Sequence, residues 1–179
     1  GSFEQGLIFR KKESLLKEGI LKVQEDRERY IQEIYETSHN VLEVILAVFQ
    51  KSIEMFQLTN KRFFEDIKKY PKIYELMKDR RESDSEKTIS FFMEGVEQGI
   101  FRSDVNFAIV NMLVREQFDV LLNTAVCDAY PFVEVYGSIM FTYLRGISTE
   151  KGAKVLDDFI LEYRKNHTQN HSHTGVLGK

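Results

Sequence analysis

The chain has 179 residues and a mass of 21.0 kDa, with 42% hydrophobic and 30% charged residues. That is enough apolar material for one well-buried domain, and the composition is neither that of a disordered chain nor that of a membrane-embedded one. A net charge of −3 and a pI of about 5.9 offer no basic excess of the kind that holds a polyanion. The single cysteine, Cys127, excludes an internal disulfide framework and a cysteine-rich metal site, and it fits a reducing compartment.

Apolar residues recur at spacings of three and four almost everywhere, and only two prolines, Pro71 and Pro131, interrupt them. The expectation is an all-α protein, a single bundle of about seven helices joined by short connections around one shared core. The first helix is placed at about Lys12 to Tyr35, with Leu16, Ile20, Val23, Tyr30 and Ile34 on one seam and Arg27 at the missing step. Asn40 and Glu43 form a capping box for the next helix, about Val41 to Phe56, which is apolar on most sides and therefore central.

In "KRFFEDIKKYPKIYELM", Phe63, Ile67, Tyr70 and Tyr74 make one stripe. Pro71 breaks or kinks it, because proline disfavours α geometry at the residue before it. Ser83 and Glu86 read as a second capping box, ahead of a helix with Ile89, Phe92 and Val96 inward and Gly99 as a left-handed cap. Ser103 is expected to cap a helix reaching about Asn123. Pro131 suits the first turn of the next, which ends near Gly146. Ser148 or Thr149 starts the last, with Val155, Leu156, Phe159, Ile160 and Tyr163 on its core face.

No reaction chemistry stands out. Glu36-Thr37-Ser38-His39 is a lone Glu-x-x-His, whereas a di-iron bundle needs two, and it falls where the first helix ends. His167, His171 and His173 lie in a polar tail that would be costly to order around a metal. Cys127 sits in an expected loop with no histidine near it in sequence, and nucleophile elbows, phosphate loops and His-Glu-x-x-His are missing. The expectation is a protein without catalytic residues, metal or cofactor.

Polar residues set in apolar helix are more informative. Asn111, Arg115 and Phe118 follow at i, i+4 and i+7 and share a face. If that face is internal, Arg115 needs a carboxylate or a ligand's anion; otherwise it is a solvent or interface arginine. The helix after Pro131 is apolar on two faces: Phe132, Val135, Tyr136, Ile139 and Tyr143 on one, and Val133, Gly137, Met140 and Leu144 on the other. One such face suffices for packing within a domain, so the second fits either an interface or a central position in the core.

Three segments together resemble the C-terminal part of a tetracycline-repressor-type (TetR-family) transcriptional regulator. "FRKKESLL", through Phe9, Lys12, Glu13, Leu15 and Leu16, is similar to the signature that follows the family's recognition helix. "FFEDIKKYPKIYELM" resembles its sixth-helix region. "GVEQGIFRSDVN" and "YLRGISTEKGAKVLDDFI" look like turns bounding its last helices.

The resemblance covers about residues 9–164, as a ligand-binding and dimerisation domain. Residues 1–8 are expected to be a remnant before the linker helix, with Gly1-Ser2 like a tag scar, and residues 165–179 a disordered polar tail. It implies a repressor whose helix-turn-helix, missing ahead of Phe9, would contact operator DNA; the lone cysteine and the lack of a signal-peptide core or a membrane-length apolar run add the expectation of a cytoplasmic protein. It also implies a homodimer in which the two late helices of each protomer form a four-helix bundle, with Phe132, Val135, Tyr136, Ile139 and Tyr143 at the interface. A largely apolar effector would enter the core and displace the first helix. Tyr30, Phe64, Phe92, Asn111, Arg115 and Phe118 are the candidate lining. A stand-alone helical adaptor that binds a protein partner through an apolar groove is the alternative.

Overall fold

Helices account for nearly all of the structure, a computed structural model that describes residues 1–58, 67, 69–123 and 125–168. Within those stretches the side chains of residues 56, 81–83, 118, 122, 123, 127, 167 and 168 are not described. Among the described residues the helices include, in chain order, α1 (Ser2–Thr37), α2 (Val41–Leu58), α3 (Pro71–Ser83), α4 (Ser85–Glu97), α5 (Phe107–Asn123), the single turn α6 (Val126–Ala129), α7 (Phe132–Ile147) and α8 (Glu150–Thr168). Among the described residues there is no strand, and no helix is long and apolar enough to cross a membrane.

α2 is the axis of the bundle, packed against α1, α4 and α8. Val41, Leu42, Val44, Leu46, Phe49 and Ile53 are all buried, as expected of a helix wetted on few sides. Its start is fixed from two directions. Asn40 Oδ1 accepts the Glu43 amide at 3.0 Å, and the Gln98 side chain reaches across from the end of α4 to accept the Val41 amide at 2.9 Å. Glu43 returns to the His39 amide (2.9 Å) rather than to Asn40, so the capping box closes one residue early.

Several boundaries differ from the sequence reading, each for a local reason. α1 begins at Ser2, not near Lys12, and its expected seam is partly wet: Ile20 is buried, Leu16, Tyr30 and Ile34 are half-buried, and Val23 is exposed. Pro71 opens α3, where a missing N–H costs nothing. Ser83 is the last residue of α3 and not a cap. Asp84 stays near helical geometry, its amide donating to the Arg80 carbonyl and its carbonyl accepting from Thr88, so few donors are orphaned there. α5 starts at Phe107 rather than after Ser103, with Asn106 Oδ1 accepting the Ile109 amide at 3.2 Å. Cys127 lies in α6 rather than a loop. α8 runs to Thr168, into the segment expected to be disordered, and residues 169–179, with His171 and His173, lie outside the described residues.

The turns after α4 and α7 are tied to each other. Gly99 takes the left-handed φ of 73° that ends α4. Phe101 and Ser148 then form an isolated antiparallel bridge, with Arg102 N–H to Ile147 O at 2.8 Å and Thr149 N–H to Ile100 O at 3.0 Å. Thr149 caps α8 through Gly152 (3.2 Å) and donates its hydroxyl to the Gly99 carbonyl at 2.6 Å. Gly152 leaves no choice of side chain, since a Cβ there would lie 2.2 Å from the Ile100 carbonyl oxygen.

Among the described residues, two apolar clusters result. The larger joins Val41, Leu42, Leu46, Ile100, Phe101, Phe107, Leu144, Ile147 and Leu156. The smaller holds Ile20, Tyr70 and Ile73, with Leu16 and Met77 against it, where α1 crosses α3.

Candidate functional site

α5 carries an exposed apolar stripe. Its inner side supplies Phe107 and Leu121 to the core, while Ile109, Met112, Leu113 and Val120 are 55%, 57%, 49% and 48% exposed. At 100° per residue these four lie on the helix's outer half, interrupted by the exposed Glu116 and Gln117. Four large apolar side chains on one wet face is the pattern of a surface made to be covered. α7 packs along α5 and brings the candidate interface residues with it. Phe132, Val135, Ile139 and Tyr143 are half-buried. Tyr136 turns inward and stacks on Phe49 with ring centroids 5.4 Å apart, so it belongs to the core rather than to an outer face. The exposed stripe of α5 was not singled out from sequence, although its i, i+3, i+4 apolar spacing on the side away from Phe107 carries the signal.

The candidate effector lining does not gather into one pocket. Phe64 lies outside the described residues, and the Phe118 side chain is not described. Phe92 is core, stacked on Phe107 at 5.4 Å and tilted against Phe101 at 5.5 Å. Tyr30 sits at the α1–α2 contact under the Lys51 ammonium, 5.5 Å from the ring centroid. Burial, helped by the charge of Glu54, pushes its phenol up.

Asn111 and Arg115 do share an inward-leaning face of α5, as the i, i+4 spacing requires. Asn111 Nδ2 donates to Ser85 Oγ at 3.1 Å, tying α5 to the first turn of α4. Half-buried Arg115 has its Nε shut off from solvent with no hydrogen-bond partner. The carboxylate one turn further on, Asp119, faces α3, where it accepts the Tyr74 hydroxyl at 3.2 Å.

A second polar contact lies between α1, α2 and α7. Burial pushes the Tyr136 phenol up, while the charge of Arg27 and a hydrogen bond with Ser52 act the other way. Arg27, the charged step in the first helix's seam, is thus within electrostatic reach of the α7 tyrosine. Glu36 and His39 do not converge: Glu36 accepts from Gln32 (3.2 Å), and His39 contacts Glu43 (3.3 Å). Among the described residues no group of three or more His, Cys, Asp or Glu side chains is placed to hold a metal ion. The chain matches no protein-family model, and neither a curated protein nor a solved structure matches it.

Proposed function

We propose that this chain is the ligand-sensing and dimerisation domain of a TetR-type DNA-binding regulator, a cytoplasmic repressor. A small molecule bound among its helices moves α1. The observation that carries the reading is the wet apolar face of α5, flanked by the half-buried Val135 and Ile139 of α7. Two such helices from each of two protomers would close a four-helix bundle and cover that face, with no new fold required. The resemblance of "FRKKESLL" to the family's linker signature gives α1 its role as the element leading to a DNA-reading head.

In such an arrangement the separation of two heads must match half-sites about one helical turn of DNA apart, so a tilt of α1 switches binding. The effector acts only through unequal affinity for the two states. Polar links along α1 support a coupled helix: Tyr35 donates to Glu94 of α4 at 2.6 Å, and Glu28 pairs with Arg80 of α3.

Native mass spectrometry at micromolar concentration tests the dimer. The expected species is twice 21.0 kDa for the chain as it stands and a monomer for Leu113→Glu, which sets a charge in the centre of the α5 face. A wild-type monomer removes this reading. The same exposed face then favours the alternative, a helical adaptor whose α5 binds another protein.

A further inference from the structure

The polar seam where α3, α4 and α5 meet contains an incomplete site. Arg115 Nε is buried without an acceptor, yet polar groups flank it on α5 one turn in each direction. A guanidinium N–H held away from water and unpaired is costly, and more so because the group is charged. The two flanking side chains are already committed. Asn111 donates to Ser85, and Asp119 accepts from Tyr74. Because Ser85 Oγ is the acceptor in its bond with Asn111, its own hydroxyl hydrogen remains for a further acceptor. The seam therefore holds donors in need of an acceptor.

We infer that Arg115, with the Ser85 hydroxyl beside Asn111, binds the oxyanion of the effector. That group is a carboxylate or phosphate on a body that is otherwise apolar. The planar fork of arginine presents Nε and one Nη in parallel, which matches two oxygens of such a group and gives the strongest class of side-chain hydrogen bond. The Asp119 carboxylate one turn away repels a dianion more than a monoanion, so a carboxylate is the better fit. The apolar remainder follows from the surroundings: beyond Ser85 the same face of α4 continues as the half-buried Ile89. The inference rests on the ligand-sensing reading and names the chemistry of its ligand. It needs neither the dimer nor DNA.

The test uses the full chain with three probes by calorimetric titration: octanoate, octanol and inorganic phosphate. Octanoate is expected to bind about tenfold or more tighter than octanol, the worth of a charge-assisted pair. Arg115→Met should abolish that preference while keeping or raising the melting temperature without ligand, since it removes a buried N–H that has no acceptor. Arg115→Lys keeps the charge but loses the fork and should recover only part of the preference. In the wild type, the Arg115 Nε–H resonance should shift on adding octanoate and not on adding octanol, a readout that does not depend on any variant folding. Binding of phosphate in place of octanoate keeps the oxyanion and assigns it to a phosphoryl group. Equal binding of octanoate and octanol overturns the oxyanion while leaving a ligand-binding domain. No binding of either anion, or Arg115→Met binding octanoate undiminished, overturns the inference, and the dimer measurement decides the regulator reading separately.

Discussion

The bundle around Phe49 and the crossing of α1 over α3 are both held by aromatic stacking, yet they differ in how many elements share the load. Phe49 is 1% exposed and meets Tyr136 and Phe141 from α7 and Phe159 and Tyr163 from α8, at centroid distances of 4.9 to 6.3 Å. At the crossing, Phe9 stacks on Tyr70 at 4.9 Å but remains 42% exposed. Among the described residues, the buried cluster there holds Ile20, Tyr70 and Ile73. A ring on α2 enclosed by α7 and α8 resists opening of any of the three. A ring covered from one side holds only the pair it joins. The first region should therefore report global stability and the second only local order.

Substituting Phe49 by Ala is the harshest test of that contrast. A loss of about 4 kcal/mol is expected for a fully buried aromatic whose cavity cannot collapse, and denaturant unfolding followed by far-UV circular dichroism measures it. A loss under about 1 kcal/mol would mean that the bundle does not unfold as one unit. Phe9→Ala should cost about 1 kcal/mol, the scale of an exposed aromatic pair. Hydrogen exchange should show the loss only in amides of the first half of α1 and of α3, with the Phe49 region unchanged. Protection lost across α2 and α8 would erase the distinction.

The smallest effect is a pH dependence. Burial holds the Tyr136 phenol above its ordinary value of 10.0. The folded state thus binds that proton more tightly than the unfolded chain. The resulting stability is complete below pH 10 and is lost as pH rises through the folded-state value. Tyr136→Phe should flatten the alkaline limb of a stability profile and leave the neutral value within about 1 kcal/mol, the net worth of one hydrogen bond. An unchanged alkaline limb would place the titration elsewhere.

Local chemistry was readable from the chain because it needs only neighbours in sequence. Asn40 and Glu43 at the head of α2, Pro71 at the start of α3, Gly99 after α4 and Thr149 before α8 each act within a turn or two. The all-helical character followed from spacing in the same way. What spacing could not supply is which helix meets which. Gln98 caps Val41 from 57 residues away, Ser85 pairs with Asn111 from 26 away, and Tyr136 chooses Phe49 over the outside. The start of α1 was missed for a different reason. Phe3, Leu7 and Ile8 are exposed along the helix's first turns, so they do not extend the buried seam that marks the rest of it. Within the candidate site, the shared face of Asn111 and Arg115 was legible, whereas its partners on α3 and α4 were not.

The length of α1 also sets a mechanical ratio. Its first buried side chain is Ile20, and at 1.5 Å per residue the stretch from there back to Ser2 is a rod of about 27 Å. A pivot of about 10° at Ile20 sweeps the far end of that rod through about 5 Å. A rearrangement of about 1 Å in side chains about 5 Å from the pivot thus becomes a displacement of about 5 Å at the tip, through leverage alone.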